Sequence, residues 1–263
     1  MSSKWLVLMA ACLVMAVGMG TAQAYPQMAP TSGLTGLIET PTAYLVGART
    51  VELALDYTEA ARYNDGFEGW PVRLVAGVSE NVELGVAYLM LEPKGSGTPI
   101  RHTAVGAKWQ FRQENAGPAV ALGVEYRERK QYSGVRKLTS IFLVGSKKLT
   151  GKETEVSLVG NAGVAYDSWT GGSGTEVYLT PFLGAEICFS QGTTIAVDYK
   201  WDQGGGWPGP NCQARFGMVI RHPLNDQLTA ELGMTRLEYD QNWGGEIPLR
   251  TFGGVCWRFG KGK

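Results

Sequence analysis

Histidine is nearly absent from this chain, and most ordinary catalytic machinery is absent with it. His102 and His222 are the only two in 263 residues. Each falls near a predicted turn, at opposite ends of the predicted strands, too far apart to cooperate. The motifs G-x-S-x-G, H-E-x-x-H and the P-loop do not occur. The sequence therefore reads as a non-enzyme that needs no cofactor. Cysteine is scarce too. Beyond the first 24 residues only Cys188, Cys212 and Cys256 remain, an odd number, each in a different predicted strand. No C-x-x-C spacing is present, so they read as small wall residues, and no metal site is expected. Asn64-Asp65-Gly66 lacks a full calcium ligand set and reads as a turn.

An excess of either charge is also missing. Lys and Arg number 24, and so do Asp and Glu. That balance excludes a polyanion-binding protein, so nucleic acid is not an expected partner. Long apolar runs are confined to the start. Residues 1–24 have the form of a secretory signal, with Lys4 as the positive region and Trp5 to Met19 as the apolar stretch. Ala22-Gln23-Ala24 is an A-x-A site, placing cleavage between Ala24 and Tyr25. No later run is long enough for a transmembrane helix.

What the chain does have is alternation. Val51, Leu53, Leu55 and Tyr57 share one face, and Glu52, Ala54 and Asp56 the other. The same period of two recurs over Trp70–Ser79, Asn81–Glu92, Thr103–Arg112, Pro118–Arg127, Thr154–Tyr166, Glu176–Phe189, Thr193–Asp202, Asn211–Arg221, Gln227–Glu238 and Thr251–Phe259. Arg136–Lys147 is apolar but of unclear phase, and Pro181 implies a bulge or bend. The total is about twelve strands. Short connections alternate with longer ones such as Glu128–Val135, Asp167–Thr175, Gln203–Pro210 and Tyr239–Leu249. Tyr57, Tyr88, Tyr126, Tyr166, Tyr199 and Trp201 would lie at one height on the apolar face. Tyr239 would join them only across a bulge. Trp109, Phe111, Phe189, Trp257 and Phe259 would lie at the other height. Two aromatic girdles around an aliphatic band are what a lipid-facing wall needs. The predicted fold is an all-β, up-and-down antiparallel transmembrane barrel of the bacterial outer membrane. Short turns and both termini would be periplasmic, with longer loops outside. A soluble sandwich would also alternate, but has no reason for two girdles.

The opposite face carries the candidate lumenal residues Glu52, Asp56, Arg73, Lys108, Glu125, Arg127, Asp198, Lys200 and Arg215. Glu83, Glu186, Arg221, Glu231 and Arg258 share it. A glycine falls near the middle of most strands on this face. Such gaps leave space for a narrow pore, or for Gly33–Ala43 as an internal plug. The plain alternative is a closed, salt-bridged interior that serves folding only. Three longer loops place a tryptophan beside an aspartate and a glycine run: Asp167 with Trp169, Asp202 with Trp207, and Asp240 with Trp243. These are candidate glycan contacts, since tryptophan stacks on sugar rings, although girdle tryptophans would look the same.

The segment Gly33-Leu34-Thr35-Gly36-Leu37-Ile38-Glu39-Thr40-Pro41-Thr42-Ala43, followed by Gly47 and a first barrel strand, resembles the opening of YjbH-type outer-membrane proteins. That resemblance implies a role in exopolysaccharide production or export. The chain then divides into a signal (1–24), an N-terminal periplasmic or lumenal segment (25–47), the barrel (48–259) and a short periplasmic tail (260–263). The expected partners are outer-membrane lipid and the barrel assembly machinery, which would read the terminal aromatic Phe259, with polysaccharide as candidate ligand. Two other readings stay open. One is a non-conducting barrel that binds a partner or glycan through its loops. The other, more remote, is a lipid enzyme, for which Ser140 and Ser157 lack a histidine partner.

Overall fold

The computed structural model describes residues 33–60, 66–95, 97–114, 117–131, 134–150, 156–171, 174–202, 213–236 and 249–260. The strands are β1 (Val51–Ala60), β2 (Phe67–Gly69), β3 (Val72–Ser79), β4 (Val82–Pro93), β5 (Ile100–Arg112), β6 (Ala119–Gln131) and β7 (Gly134–Lys148). They continue with β8 (Val156–Gly171), β9 (Gly174–Phe189), β10 (Thr194–Asp202), β11 (Gln213–Pro223), β12 (Leu228–Arg236) and β13 (Leu249–Phe259). Each pairs antiparallel with its sequence neighbour around the ring. β2 and β3 are one wall strand, because both lie between β1 and β4. Its break falls at Trp70-Pro71, where proline has no N–H to give to a ladder. The wall thus has twelve strands. It closes where β1 pairs with β13, from Val51 opposite Phe259 to Ala60 opposite Arg250. Val51 and Phe259 mark the terminal rim, and Ala60 and Arg250 mark the loop rim.

The period-two pattern sorts side chains into two environments, inverted relative to a soluble protein. Outward, Val105, Val124 and Ile141 are 45%, 46% and 49% exposed. Inward, Glu83, Lys108 and Arg73 are almost fully buried. A continuous exposed apolar wall of this extent is stable against hydrocarbon, not water. The barrel therefore spans a membrane. The girdle residues Tyr88, Tyr126, Tyr166, Trp109, Phe111, Trp257 and Phe259 are all exposed on that wall. Trp70 adds to the girdle, with its ring tilted against Tyr57 at a centroid distance of 5.1 Å.

Several expectations change. Glu128–Val135 and Asp167–Thr175 are not long loops. β6 runs to Gln131 and β7 starts at Gly134, while β8 runs to Gly171 and β9 starts at Gly174. The extra residues lengthen strands beyond the girdle, because hydrogen-bonded ladders satisfy the backbone better than a loop. Pro181 makes no bulge. It stays in register opposite Val164, and the β9–β10 ladder ends beside it, at Phe182 opposite Lys200. The register shifts fall instead at Gly77/Ser79 and Gln110/Arg112. The phase of β7 is settled by Leu138, Ser140, Phe142, Val144 and Ser146, all buried inward. Cys188 and Cys256 are free thiols. The signal with Ala24 and Tyr25, Asn64 and Asp65, Cys212, Tyr239 and residues 261–263 lie outside the described residues.

Candidate functional site

The lumen is filled by the chain's own N-terminal segment. Gly36 bridges Pro41, Leu37 N–H donates to Thr40 O at 2.9 Å, and Thr42 N–H donates to Thr35 O at 3.3 Å. The segment is a short hairpin with Ile38 and Glu39 at its tip. The arms lie toward the terminal rim and the tip toward the loop rim. Leu34, Leu37, Ile38 and Ala43 are each 0% exposed. None of them belongs to a wall strand.

Wall side chains hold this hairpin largely by its backbone. The Asp198 carboxylate, through Oδ2, accepts N–H bonds from Ile38 at 3.0 Å, Glu39 at 2.6 Å and Thr40 at 2.9 Å, and the Thr40 hydroxyl at 3.1 Å. Lys108 Nζ donates to the carbonyls of Thr35 (2.9 Å), Thr42 (2.9 Å) and Tyr44 (2.7 Å), and lies 3.0 Å from Glu83. Glu83 in turn accepts from Thr35 N–H at 2.8 Å and Val46 N–H at 3.1 Å. Gln110 donates to Ala43 O, Ser146 Oγ accepts from Ala43 N–H, and Arg221 donates to Leu37 O. A hairpin with few strand partners needs such donors and acceptors, because unpaired buried backbone groups are costly. Nearer the terminal rim, Tyr44 donates to Glu114 at 2.5 Å. Burial first, and then the Glu114 carboxylate, push the Tyr44 phenol well above its ordinary value.

The mid-strand glycines are the imprint of this segment. A Cβ at Gly106 would lie 2.8 Å from Leu34 Cδ1, and one at Gly217 would lie 2.8 Å from Ile38 Cβ. At Gly77, Gly85 and Gly184 it would overlap Gly47, Gly33 and Leu37. A second set serves the wall. Phe142, Phe182 and Phe252 each lay their ring over the glycine directly across the ladder, Gly123, Gly163 and Gly233. The rings lie flat on the wall there, and the lumen keeps room for the hairpin.

The candidate lumenal residues all lie on the interior face. Asp56 pairs with Arg73 at 2.5 Å, and Arg73 also binds Glu231. Glu52 pairs with Arg258, whose Nε is 2.8 Å away, and Glu125 pairs with Arg127. Lys200 lies 3.0 Å from Asp167 and Arg215 3.9 Å from Glu39. The loop candidates fare differently. Asp167 is not in an external loop: it sits in β8, buried and ion-paired with Lys200 inside the wall. Trp169 is also in β8, opposite Glu176, and by alternation shares the inward face of Asp167. The extended ladder carries both residues past where a loop was expected. Asp202 is the last residue of β10, its side chain outside the described set, and Trp207, Asp240 and Trp243 lie outside the described residues. Ser140 faces Glu125 and Asp167 across its ladders, and Ser157 faces Cys188, so neither opposes a histidine there.

The period-two pattern gives no reason to single out Glu39, Gln110, Ser146, Thr235 or Arg250. Arg250 stands one position before the predicted closing strand, and Gln110 and Ser146 carry no charge to attract notice. Glu39 was visible only as part of the Gly33–Ala43 motif.

No family model matches this sequence, and no curated protein matches it. Solved structures do match in fold. A KdgM porin in complex with disordered oligogalacturonate aligns at a TM-score of 0.53 and 11% identity, over 79% of this chain and 99% of that one. A NanC porin aligns at 0.52 and 10% identity, over 78% and 98%. An outer-membrane channel of Pseudomonas putida F1 aligns at 0.56 and 12% identity, over 82% and 97%. The fold is that of bacterial outer-membrane barrels. The apolar outer wall places the chain in that membrane.

Proposed function

We propose that this protein is an outer-membrane channel for a polar saccharide, closed at rest by its own hairpin, acting in exopolysaccharide production or export. One observation carries the reading. The hairpin contributes no strand to the wall, which closes through β1 and β13 without it. It can therefore leave the lumen without breaking the barrel's ladder. Besides the packing of Leu34, Leu37 and Ile38, its fastenings are hydrogen bonds and ion pairs that water can replace, unlike the continuous ladders of the wall. The saccharide assignment draws on the resemblance of Gly33–Ala43 to YjbH-type proteins and on the oligogalacturonate in the similar KdgM porin. No catalytic role is assigned.

Planar-bilayer conductance tests the reading. Deleting 33–43 is expected to convert a closed or rarely open protein into a steady pore. No conductance in either form overturns the channel. It would favour a non-conducting barrel that binds through its loops, a reading supported by the dense bonding of Lys108. A deletion strain that secretes an unchanged amount of exopolysaccharide overturns the physiological link.

A further inference from the structure

We propose that Arg215, Thr235 and Arg250 form a carboxylate-binding site that Glu39 fills from within, and that an acidic saccharide of uronate type takes the place of Glu39. The inference rests on the reading of the barrel as a hairpin-closed saccharide channel.

The three residues come from neighbouring strands β11, β12 and β13. They lie on the interior face toward the loop rim, with exposures of 6%, 0% and 4%. Thr235 Oγ1 donates to Glu39 Oε1 at 3.0 Å. Arg250 Nη2 lies 3.7 Å from that same oxygen, and Arg215 Nη1 lies 3.9 Å from Oε2. The carboxylate is thus bracketed by one guanidinium per oxygen and by one hydroxyl. The backbone of the tip is held in place, because the N–H groups of Ile38, Glu39 and Thr40 are fixed on Asp198. Arg250 Nε is buried with no hydrogen-bond partner among the described residues. Arg250 therefore keeps a donor that the closed state does not use among the described residues. A carboxylate on a mobile saccharide can seat itself between the same two guanidiniums and the Thr235 hydroxyl, in the place that the Glu39 carboxylate now takes.

The consequence is a coupling between ligand and closure. Glu39 sits at the hairpin tip, so a ligand that occupies its site removes one fastening of the closed state. Ligand and tip compete, and by linkage whatever releases the tip raises the affinity for the ligand.

The test uses the full chain in detergent and in planar bilayers, with trigalacturonate as probe and maltotriose as the neutral control of equal length. Glu39→Gln should bind trigalacturonate at least about tenfold more tightly than wild type by calorimetry, since the competing carboxylate is gone. Arg250→Met should abolish binding, and Arg250→Lys, which keeps the charge but not the fork, should restore part of it. A heat-modifiable gel shift shows that each variant is folded. In bilayers, trigalacturonate should raise the open probability of wild type, and maltotriose should not. Equal binding by wild type and Glu39→Gln overturns the site, as does equal binding of the two sugars. Calorimetry separates this failure from failure of the channel: the site can stand in a barrel that never conducts. A conducting 33–43 deletion combined with no preference for trigalacturonate sinks the site alone.

Discussion

Asp198→Ala is the sharpest perturbation of the closed state. One carboxylate oxygen collects N–H bonds from Ile38, Glu39 and Thr40 and the hydroxyl of Thr40. A hydrogen bond to a charged group contributes about 1.5–3 kcal/mol. The bonds share one oxygen and are not additive, so the whole set is better compared with breaking a buried charged pair, about 3–5 kcal/mol. Water entering beside the alanine recovers part of this, and the low end is the sounder expectation. A loss of about 3 kcal/mol shifts the balance between seated and withdrawn hairpin roughly a hundredfold toward withdrawal. Single-channel recording should show this as a rise of that order in open probability. Asp198→Asn keeps an acceptor and should rise less. The wall ladder of β10 does not involve the side chain, so the heat-modifiable gel shift should be retained. If Asp198→Ala stays as closed as wild type while the 33–43 deletion conducts, Asp198 is not the latch.

Lys108→Met should leave Glu83 buried without its cation and cost about 3–5 kcal/mol in denaturant unfolding from vesicles. The double variant with Glu83→Gln should recover part of that loss. Val124→Arg, in the middle of the lipid-facing wall, should cost about 2–4 kcal/mol, whereas Val135→Arg near the loop rim should cost about 0–1 kcal/mol, both read by reversible unfolding. The Tyr44 phenol is raised by burial and Glu114, so its folded pKa exceeds the unfolded one. That contribution is fully present below the unfolded value of about 10 and is lost as pH rises beyond it. Tyr44→Phe should therefore flatten the alkaline limb of the stability profile, and an unchanged limb would refute the assignment. Phe259, exposed on the outer wall opposite Val51, is proposed to be read by the barrel assembly machinery. Phe259→Ala should reduce insertion in cells and truncation after Phe259 should not; normal insertion of Phe259→Ala would remove that role.

The wall was legible because a period of two is a local property. Val120, Leu122 and Val124 declare one face without knowledge of any partner strand. Where local pattern ran out, so did the reading. The ends of β6 to β9 differ from the local pattern because ladder extension past the girdle depends on the partner strand, not on residue type. Asp167 looked like a loop acid for the same reason, and only the neighbouring Lys200 on β10 shows that it belongs to the interior. The glycines share one face of the strands, a pattern that an open pore and an internal plug would both produce.

By itself the sequence determined a membrane-facing barrel, its strand number and the sign of each face. Alternation against lipid is imposed residue by residue along a strand, and the aromatic girdles mark where the lipid ends. Only the tertiary structure decided what fills the lumen. The contacts of Glu39 with Thr235 and Arg250, and of Asp198 with Ile38 to Thr40, join positions about 160 to 210 residues apart in the chain. No local period encodes such meetings. They exist because twelve strands close into a ring and bring their inner faces to a common axis.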